Sequence, residues 1–193
     1  KAVQQEARRA GYALFVAASE EVVDDEERAA RALAPQVDGL LLTSPHASDA
    51  CLAELAELVP VVVTNRLVDD VPAVLTTCAE ATGHAVEHLH ALGHRDIAYL
   101  AGPDGYSNSQ RIGGLRGACD RLGLRPVVLG PFAARFSSGV RAADLVLAAG
   151  VTAVVAFNDD IAAGLLNRFA DRGVRVPDHV SVVGHDDTAL AEM

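Results

Sequence analysis

The sequence predicts an α/β protein built on parallel sheets, and two observations support that fold class. Short, uninterrupted runs of Val, Leu, Ile and Ala recur along the 193 residues, and most are followed by a longer amphipathic stretch. Continuous apolar runs indicate strands that are buried on both faces, as in a parallel sheet covered by helices. The alternation of strand and helix therefore predicts a doubly wound architecture with right-handed crossovers.

The predicted elements follow in order along the chain. Strands are predicted at residues 12–17, 37–42, 60–64, 97–101, 126–129, 153–157 and 180–183. Helices are predicted at about residues 1–10, 24–34, 48–58, 79–92, 109–122, 138–149 and 159–172. Left-handed C-caps are predicted at Gly11, Gly93, Gly123, Gly150 and Gly173, each at a helix end.

The alternation breaks once, where Pro72 and a short apolar run at residues 74–75 leave no room for a full helix. We expect a change of sheet there, with a domain boundary near Thr76. Residues 1–76 would then form one α/β domain and residues 77–193 a second.

Composition excludes several classes of protein. A net charge of −10, from 16 Lys and Arg against 26 Asp and Glu, argues against this chain gripping nucleic acid by itself. An apolar fraction of 50% excludes disorder, and no apolar run is long enough to span a membrane. Cys51, Cys78 and Cys119 are widely spaced, which is typical of reduced thiols in a cytoplasmic protein. Their spacing matches no zinc-binding motif.

Candidate binding residues lie where the predicted strands end, because ligands of open α/β sheets bind beyond the carboxyl ends of the strands. Carboxylate or amide side chains follow several strands, namely Glu20, Asn65, Asp104, the pair Asn158 and Asp159, and the pair Asp186 and Asp187. Such groups take up hydroxyls in pairs, as polyol and sugar binding requires. Arg111, expected in the first turn of the helix after Gly102, has a planar fork suited to a carboxylate, a phosphate or a vicinal diol.

Metal binding and enzymatic activity are the competing interpretations. His84 and His88 share a helix face, but no further ligand pattern accompanies them, so a solvated face is favoured over zinc. The sequence has no dinucleotide fingerprint, P-loop or nucleophile elbow, so it predicts no cofactor. A triad of Ser44, His185 and Asp186 has no support in its spacing. We expect no catalytic residue and no metal site.

Five segments carry a resemblance to a known family. EHLHALGHRDIAYLAGP (87–103), TAVVAFNDDIAAGLL (152–166) and VRVPDHVSVVGHDDTALAEM (174–193) resemble signature segments of the LacI/GalR family of bacterial transcription regulators. VDGLLL (37–42) and PVVVTNR (60–66) resemble its earlier strands. The resemblance spans essentially the whole chain.

The resemblance implies the effector-binding core of such a regulator. That core is built like a type I periplasmic sugar-binding protein, from two α/β lobes with a ligand cleft between them. It also implies a small-molecule effector, a homodimer, and operator DNA bound through an N-terminal helix-turn-helix outside this chain. We expect both lobes to lack pieces at the chain ends, including a first strand before the first helix. The alternative is a periplasmic sugar-binding protein of a transport system.

The resemblance also assigns site residues. Arg111, in RIGGLR, matches an arginine that grips the effector, and Asn158 and Asp186 match a polar pair from the second lobe. Asn65 stands where many members have an aspartate, and Phe136 matches an aromatic residue that stacks on the ligand. From the residues alone, Arg111 could be a surface residue, Asn158 a helix cap and Asp186 part of a turn; for Asn158 we expect capping and ligand contact together. The sequence departs from the family at His185, which replaces a frequent Tyr or Phe.

Overall fold

The structure, a computed structural model, describes residues 2–19 and 22–192. The chain divides into two compact units, Lys1–Leu75 (the first unit) and Thr76–Met193 (the second unit). Glu20, one of the predicted strand-end residues, lies outside the described residues.

Helices and strands alternate from β1 onward, except that β3 follows β2 directly. The helices are α1 (Ala2–Arg9), α2 (Val23–Leu33), α3 (Asp49–Leu58), α4 (Ala79–Ala91), α5 (Tyr106–Leu122), α6 (Phe136–Ala149) and α7 (Asp159–Asp171). The strands are β1 (Leu40–Thr43), β2 (Val61–Thr64), β3 (Ala73–Val74), β4 (Ile97–Leu100), β5 (Val127–Leu129), β6 (Ala153–Ala156) and β7 (Ser181–Val183). Short 3-10 turns occupy Ala34–Gln36 and Ala189–Glu192. The five predicted cap glycines all have positive φ, which confirms them.

The first unit contains a three-stranded parallel sheet in the order β1-β2-β3. Val61 and Val63 of β2 are buried against Leu52 and Leu55 of α3, where Ala30 of α2 also packs. The Ser48 side chain accepts a hydrogen bond from the backbone N–H of Cys51 and caps α3. Burial of this one apolar surface holds the unit together.

The strand predicted at residues 12–17 is wrong, because that segment has no regular secondary structure. Its apolar side chains are exposed, Val16 by 84%, and they line a cavity of about 570 Å³ with Leu41 and Thr43 of β1. The backbone N–H groups of Leu40 and Ser44 donate to the carbonyl oxygens of Pro60 and Thr64, on the side of β2. Because successive residues of a strand point to opposite sides, the N–H groups of Leu41 and Thr43 point to the edge away from β2. A strand is stabilised by ladder hydrogen bonds, and no described residue supplies them to this segment.

The second unit contains a four-stranded parallel sheet in the order β5-β4-β6-β7. Tyr99 of β4 is buried with α4 and α5 on one face. Its neighbours Ala98 and Leu100 are buried with α6 and α7 on the other face. Because successive strand residues point to opposite faces, this division confirms the doubly wound arrangement in this unit.

Helix α6 packs directly against the backbone of α7. A Cβ atom added at Gly139 would lie 2.0 Å from the carbonyl oxygen of Ile161. A Cβ atom added at Gly164 would lie 2.0 Å from the carbonyl oxygen of Phe136. The two glycines therefore permit a close approach that no larger residue allows. None of the helices formed by the described residues is long and apolar enough to cross a bilayer.

Candidate functional site

The carboxyl-terminal edge of the second unit's sheet brings several predicted binding residues onto neighbouring elements. Asn158 directly follows β6, and Asp186 lies three residues after β7. Arg111 reaches the same edge from α5, and Phe136 is the first residue of α6. Asn65 lies in the first unit, directly after β2, with φ of 52°.

Arg111 is the central side chain of this edge. It is buried, at 5% exposure, and its Nη2 donates to Asp186 Oδ1 at 2.8 Å. Its guanidinium carbon lies 4.3 Å from the centroid of the Phe157 ring, within range of a cation–π contact. The Arg111 Nε atom is buried with no hydrogen-bond partner among the described residues. A buried unsatisfied donor costs about 1–3 kcal/mol, so this N–H is a point where a bound acceptor would stabilise the protein.

Helix α5 begins three residues earlier than the sequence predicts, at Tyr106. The placement of Arg111 in the first turn is therefore wrong, and it lies in the second turn. In the first turn, the side-chain oxygen of Asn108 accepts from the Tyr99 hydroxyl at 3.1 Å and from the Gly102 backbone N–H at 3.2 Å. Asn108 thus ties the start of α5 to the end of β4 and directs Arg111 over the strand ends.

Phe157 supports Arg111 and was missed as a site residue. Leu100 of β4 is opposite Ala156 of β6, so the residues that follow them, including Gly102 and Phe157, lie side by side. A Cβ atom at Gly102 would lie 2.4 Å from the Phe157 ring, so only glycine leaves room for the ring there. A glycine after β4 and an aromatic residue after β6, at neighbouring positions of the two paired strands, are the sequence signal that could have identified Phe157.

Asn158 is the N-cap of α7. Its Oδ1 accepts from the backbone N–H of Ile161 at 3.0 Å, which confirms the predicted capping role. Its Nδ2 donates to the carbonyl oxygen of Ala134 at 3.5 Å, in the loop that leads to α6. Phe136, two residues farther on, is 46% exposed and presents an open aromatic side chain. Contact of Asn158 or Phe136 with a ligand stays a prediction.

Asp186 is held on a loop with unusual backbone geometry. Its φ is 93° and that of Asp187 is 49°, a region that residues other than glycine rarely adopt. Its carboxylate is 45% exposed, and Oδ2 has no hydrogen bond to any described residue. The Arg111–Asp186 pair therefore offers an unpaired donor and an unpaired acceptor with no net charge. That arrangement suits a neutral hydroxylated molecule better than an isolated anion.

The His185 ring joins the same loop to β6 and α4. Its Nδ1 lies 3.0 Å from the carbonyl oxygen of Ala156, to which it donates, and its Nε2 lies 3.2 Å from the Thr82 hydroxyl oxygen. Burial lowers the pKa of His185, and the nearby Arg111 guanidinium acts in the same direction. The carboxylates of Asp186 and Asp159 act against that shift.

The lowered pKa of His185 predicts an acid-sensitive stability. As pH falls below the ordinary histidine value of 6.5, the unfolded chain binds a proton that the folded protein does not, so the free energy of unfolding decreases. The loss levels off below the folded-state pKa. Measured as Tm between pH 7.5 and 5.5, this slope is expected to flatten in His185→Phe. The exposed His84→Gln is the control and should keep the wild-type slope; equal slopes for His185→Phe and wild type would contradict the prediction.

Neither histidine considered for zinc belongs to a metal cluster in the described part of the chain. His84 and His88 are exposed on α4. No group of three or more His, Cys, Asp or Glu side chains there is arranged to hold a metal ion.

Comparison with known proteins identifies relatives of the chain. The family model of the periplasmic binding protein-like domain matches residues 86–193. The probable HTH-type transcriptional repressor ExuR of Bacillus subtilis is 34% identical over 167 residues, which cover 80% of this chain and 49% of the relative. The chain thus spans about half the length of that relative.

Solved structures of LacI-family regulators match nearly the whole chain. A LacI transcriptional regulator from a Rhodococcus species has a TM-score of 0.89 at 33% identity, covering 99% of this chain and 73% of its own. A sugar-binding LacI-family regulator from Escherichia coli, complexed with phosphate, has a TM-score of 0.78 at 26% identity, covering 99% and 72%. Together with the two parallel sheets, these matches confirm the predicted fold class.

Proposed function

We propose that this chain, which belongs to the periplasmic binding protein-like family and within it to the LacI/GalR regulators, is the effector-sensing core of a transcriptional regulator. The effector is a small polar metabolite, and a neutral sugar fits best. The relatives named above are transcriptional regulators.

The observation that carries this proposal is the Arg111–Asp186 pair. The guanidinium is buried over Phe157, and among the described residues neither its Nε nor Asp186 Oδ2 has a hydrogen-bond partner. A vicinal diol supplies both an acceptor for Arg111 and a donor for Asp186, which is the complement of this pair. The sugar-binding regulator from Escherichia coli supports the same chemical class.

Regulation follows from a difference in the affinity of the effector for two conformations of the protein. We assign Arg111, Phe136, Asn158 and Asp186 to the effector and, on the family resemblance, Asn65 as well. A ligand that binds one conformation more tightly than the other shifts the population toward that conformation. In the whole protein, that preference changes operator affinity with a coupling free energy of typically ~1–3 kcal/mol.

Ligand titration of the full-length protein tests this function. A panel of neutral monosaccharides, the corresponding sugar phosphates and nucleosides is titrated while Tm is followed. At least one neutral sugar is expected to raise Tm in a concentration-dependent manner, because a ligand that binds only the folded state stabilises it. A response to sugar phosphates alone would overturn the neutral-sugar assignment, and no response to any member would overturn the sensing role.

The partner in transcription is operator DNA, bound by a helix-turn-helix outside this chain in a cytoplasmic homodimer. The net charge of −10 argues against DNA binding by this chain itself, because phosphate contacts require clustered Lys and Arg side chains. A mobility-shift assay at physiological salt should show no specific DNA binding by these 193 residues. Specific binding by them would contradict the proposed division of roles.

A further inference from the structure

Asp159, the first residue of α7, is a buried carboxylate that faces the loop after β7. It is 7% exposed, and its Oδ2 accepts from the backbone N–H of Thr188 at 2.7 Å. Its own backbone N–H donates to the carbonyl oxygen of His185 at 3.0 Å. A Cβ atom at Gly184 would lie 2.3 Å from Asp159 Oδ1, so that glycine packs against the carboxylate. One residue thus contacts the loop at its beginning, its middle and its end.

These contacts are not explained by capping of α7. Asn158 already supplies the capping oxygen, to the backbone N–H of Ile161. Asp160, in the same first turn, has a similar relation to the helix dipole but is exposed and makes no hydrogen bond to a described residue. Helix charge alone would therefore leave Asp159 as exposed as Asp160. Its burial follows from its contacts with the loop.

The loop needs such contacts, because its own backbone is held in a sparsely populated region. Asp186 and Asp187 both have positive φ, and such residues persist only when their surroundings determine them. The Asp186 side chain is half-exposed, and its carboxylate contacts Arg111 Nη2. Its position thus depends on the two attachments beside it, the His185 ring and the Asp159 carboxylate.

We propose that Asp159 is a positioning residue of the effector site, which sets Asp186 against Arg111 without contacting the ligand itself. This inference rests on the proposed function only where it concerns the effect of Asp159 on ligand affinity. The effect of Asp159 on the loop follows from the hydrogen bonds and does not depend on the identity of the ligand.

Three variants of the full-length protein separate positioning from general stability. Asp159→Ala removes the acceptor for the Thr188 N–H and empties the space beside Gly184. Asp159→Asn keeps a side-chain oxygen that can still accept that hydrogen bond, at nearly the same size. Asp160→Ala is the matched control, since it removes a carboxylate from the same helical turn without touching the loop.

Two readouts test the proposal. Amide hydrogen exchange is expected to become at least tenfold faster within residues 184–188 in Asp159→Ala, with β6 unchanged. Affinity for the sugar that stabilises the wild type is expected to fall at least tenfold in the same variant. Asp159→Asn should lie close to wild type in both readouts, and Asp160→Ala should equal wild type.

Each other outcome overturns one specific claim. Unchanged exchange of the loop in Asp159→Ala would overturn positioning, as would an equal loss of affinity in Asp160→Ala. Accelerated exchange across the whole sheet, without recovery in Asp159→Asn, would indicate a general structural role instead and would also overturn it. If no member of the panel binds the wild type, the sensing function fails, while loop exchange still decides whether Asp159 holds the loop.

Discussion

Replacing Arg111 with alanine is expected to abolish the rise in Tm that the effector produces in the full-length protein. The variant loses a buried guanidinium that donates to Asp186 and whose Nε is open to a ligand acceptor. A hydrogen bond to a charged group contributes about 1.5–3 kcal/mol, so the loss of the ligand contact at Nε corresponds to roughly tenfold to a hundredfold in affinity. Isothermal titration of the stabilising sugar measures the effect directly.

Two further variants refine the interpretation of that result. Arg111→Lys keeps the positive charge but loses the planar fork and the stacking over Phe157, so it should bind far more weakly than wild type. Arg116→Ala changes an exposed arginine on the same helix and should bind normally. Normal binding by Arg111→Ala would contradict the placement of the site at the strand ends of the second unit.

The largest effect on stability is expected at the α6–α7 contact. Gly139→Ala would place a methyl group 2.0 Å from the Ile161 carbonyl oxygen and 2.7 Å from the Leu165 backbone nitrogen. Backbone atoms on both sides cannot rotate away, so the helices must separate. Overpacking of this kind costs about 3 kcal/mol in the free energy of unfolding, which lowers Tm by roughly 6–12 °C.

A second glycine provides the matched control, for which we expect a change in Tm of the opposite sign. Gly113, in the interior of α5, has no atom within 4 Å of an added Cβ. Gly113→Ala should therefore gain the ordinary helix preference of alanine, about 1 kcal/mol, and raise Tm by roughly 2–4 °C. Calorimetric unfolding of both variants measures the difference. A fall in Tm for both, or a rise for both, would show that steric contact at Gly139 does not govern the response.

The fold was largely predictable because local patterns and global architecture agree in most elements. Apolar runs at β4 and β6 are buried on both faces, which is what their continuous hydrophobicity predicts. The run at residues 12–17 has the same pattern but no ladder hydrogen bonds to a strand among the described residues, so it is not itself a strand. Hydrophobic periodicity reports a tendency to be buried; strand formation also requires a partner for the backbone.

The candidate site was predictable only in part, for a related reason. Arg111, Asn158 and Asp186 could be named because strand ends and a family resemblance both indicate them. Phe157 could not, because its role depends on the register between β4 and β6 and on the space above Gly102. In the sequence, Asp159 has the pattern of an ordinary acidic residue in the first turn of a helix. Only the structure distinguishes it from Asp160, through its contact with Thr188.

The amino-acid sequence by itself determines the α/β class, the order of the elements and the residue types available at each strand end. These properties follow from hydrophobic periodicity and helix-end chemistry, which act over a few neighbouring residues. Only the tertiary structure decides that Arg111 is buried over Phe157 and paired with Asp186, and that its Nε has no hydrogen-bond partner in the described part of the chain. Arg111 and Asp186 are 75 residues apart in the chain, and their contact arises because parallel strands bring their carboxyl ends to one edge.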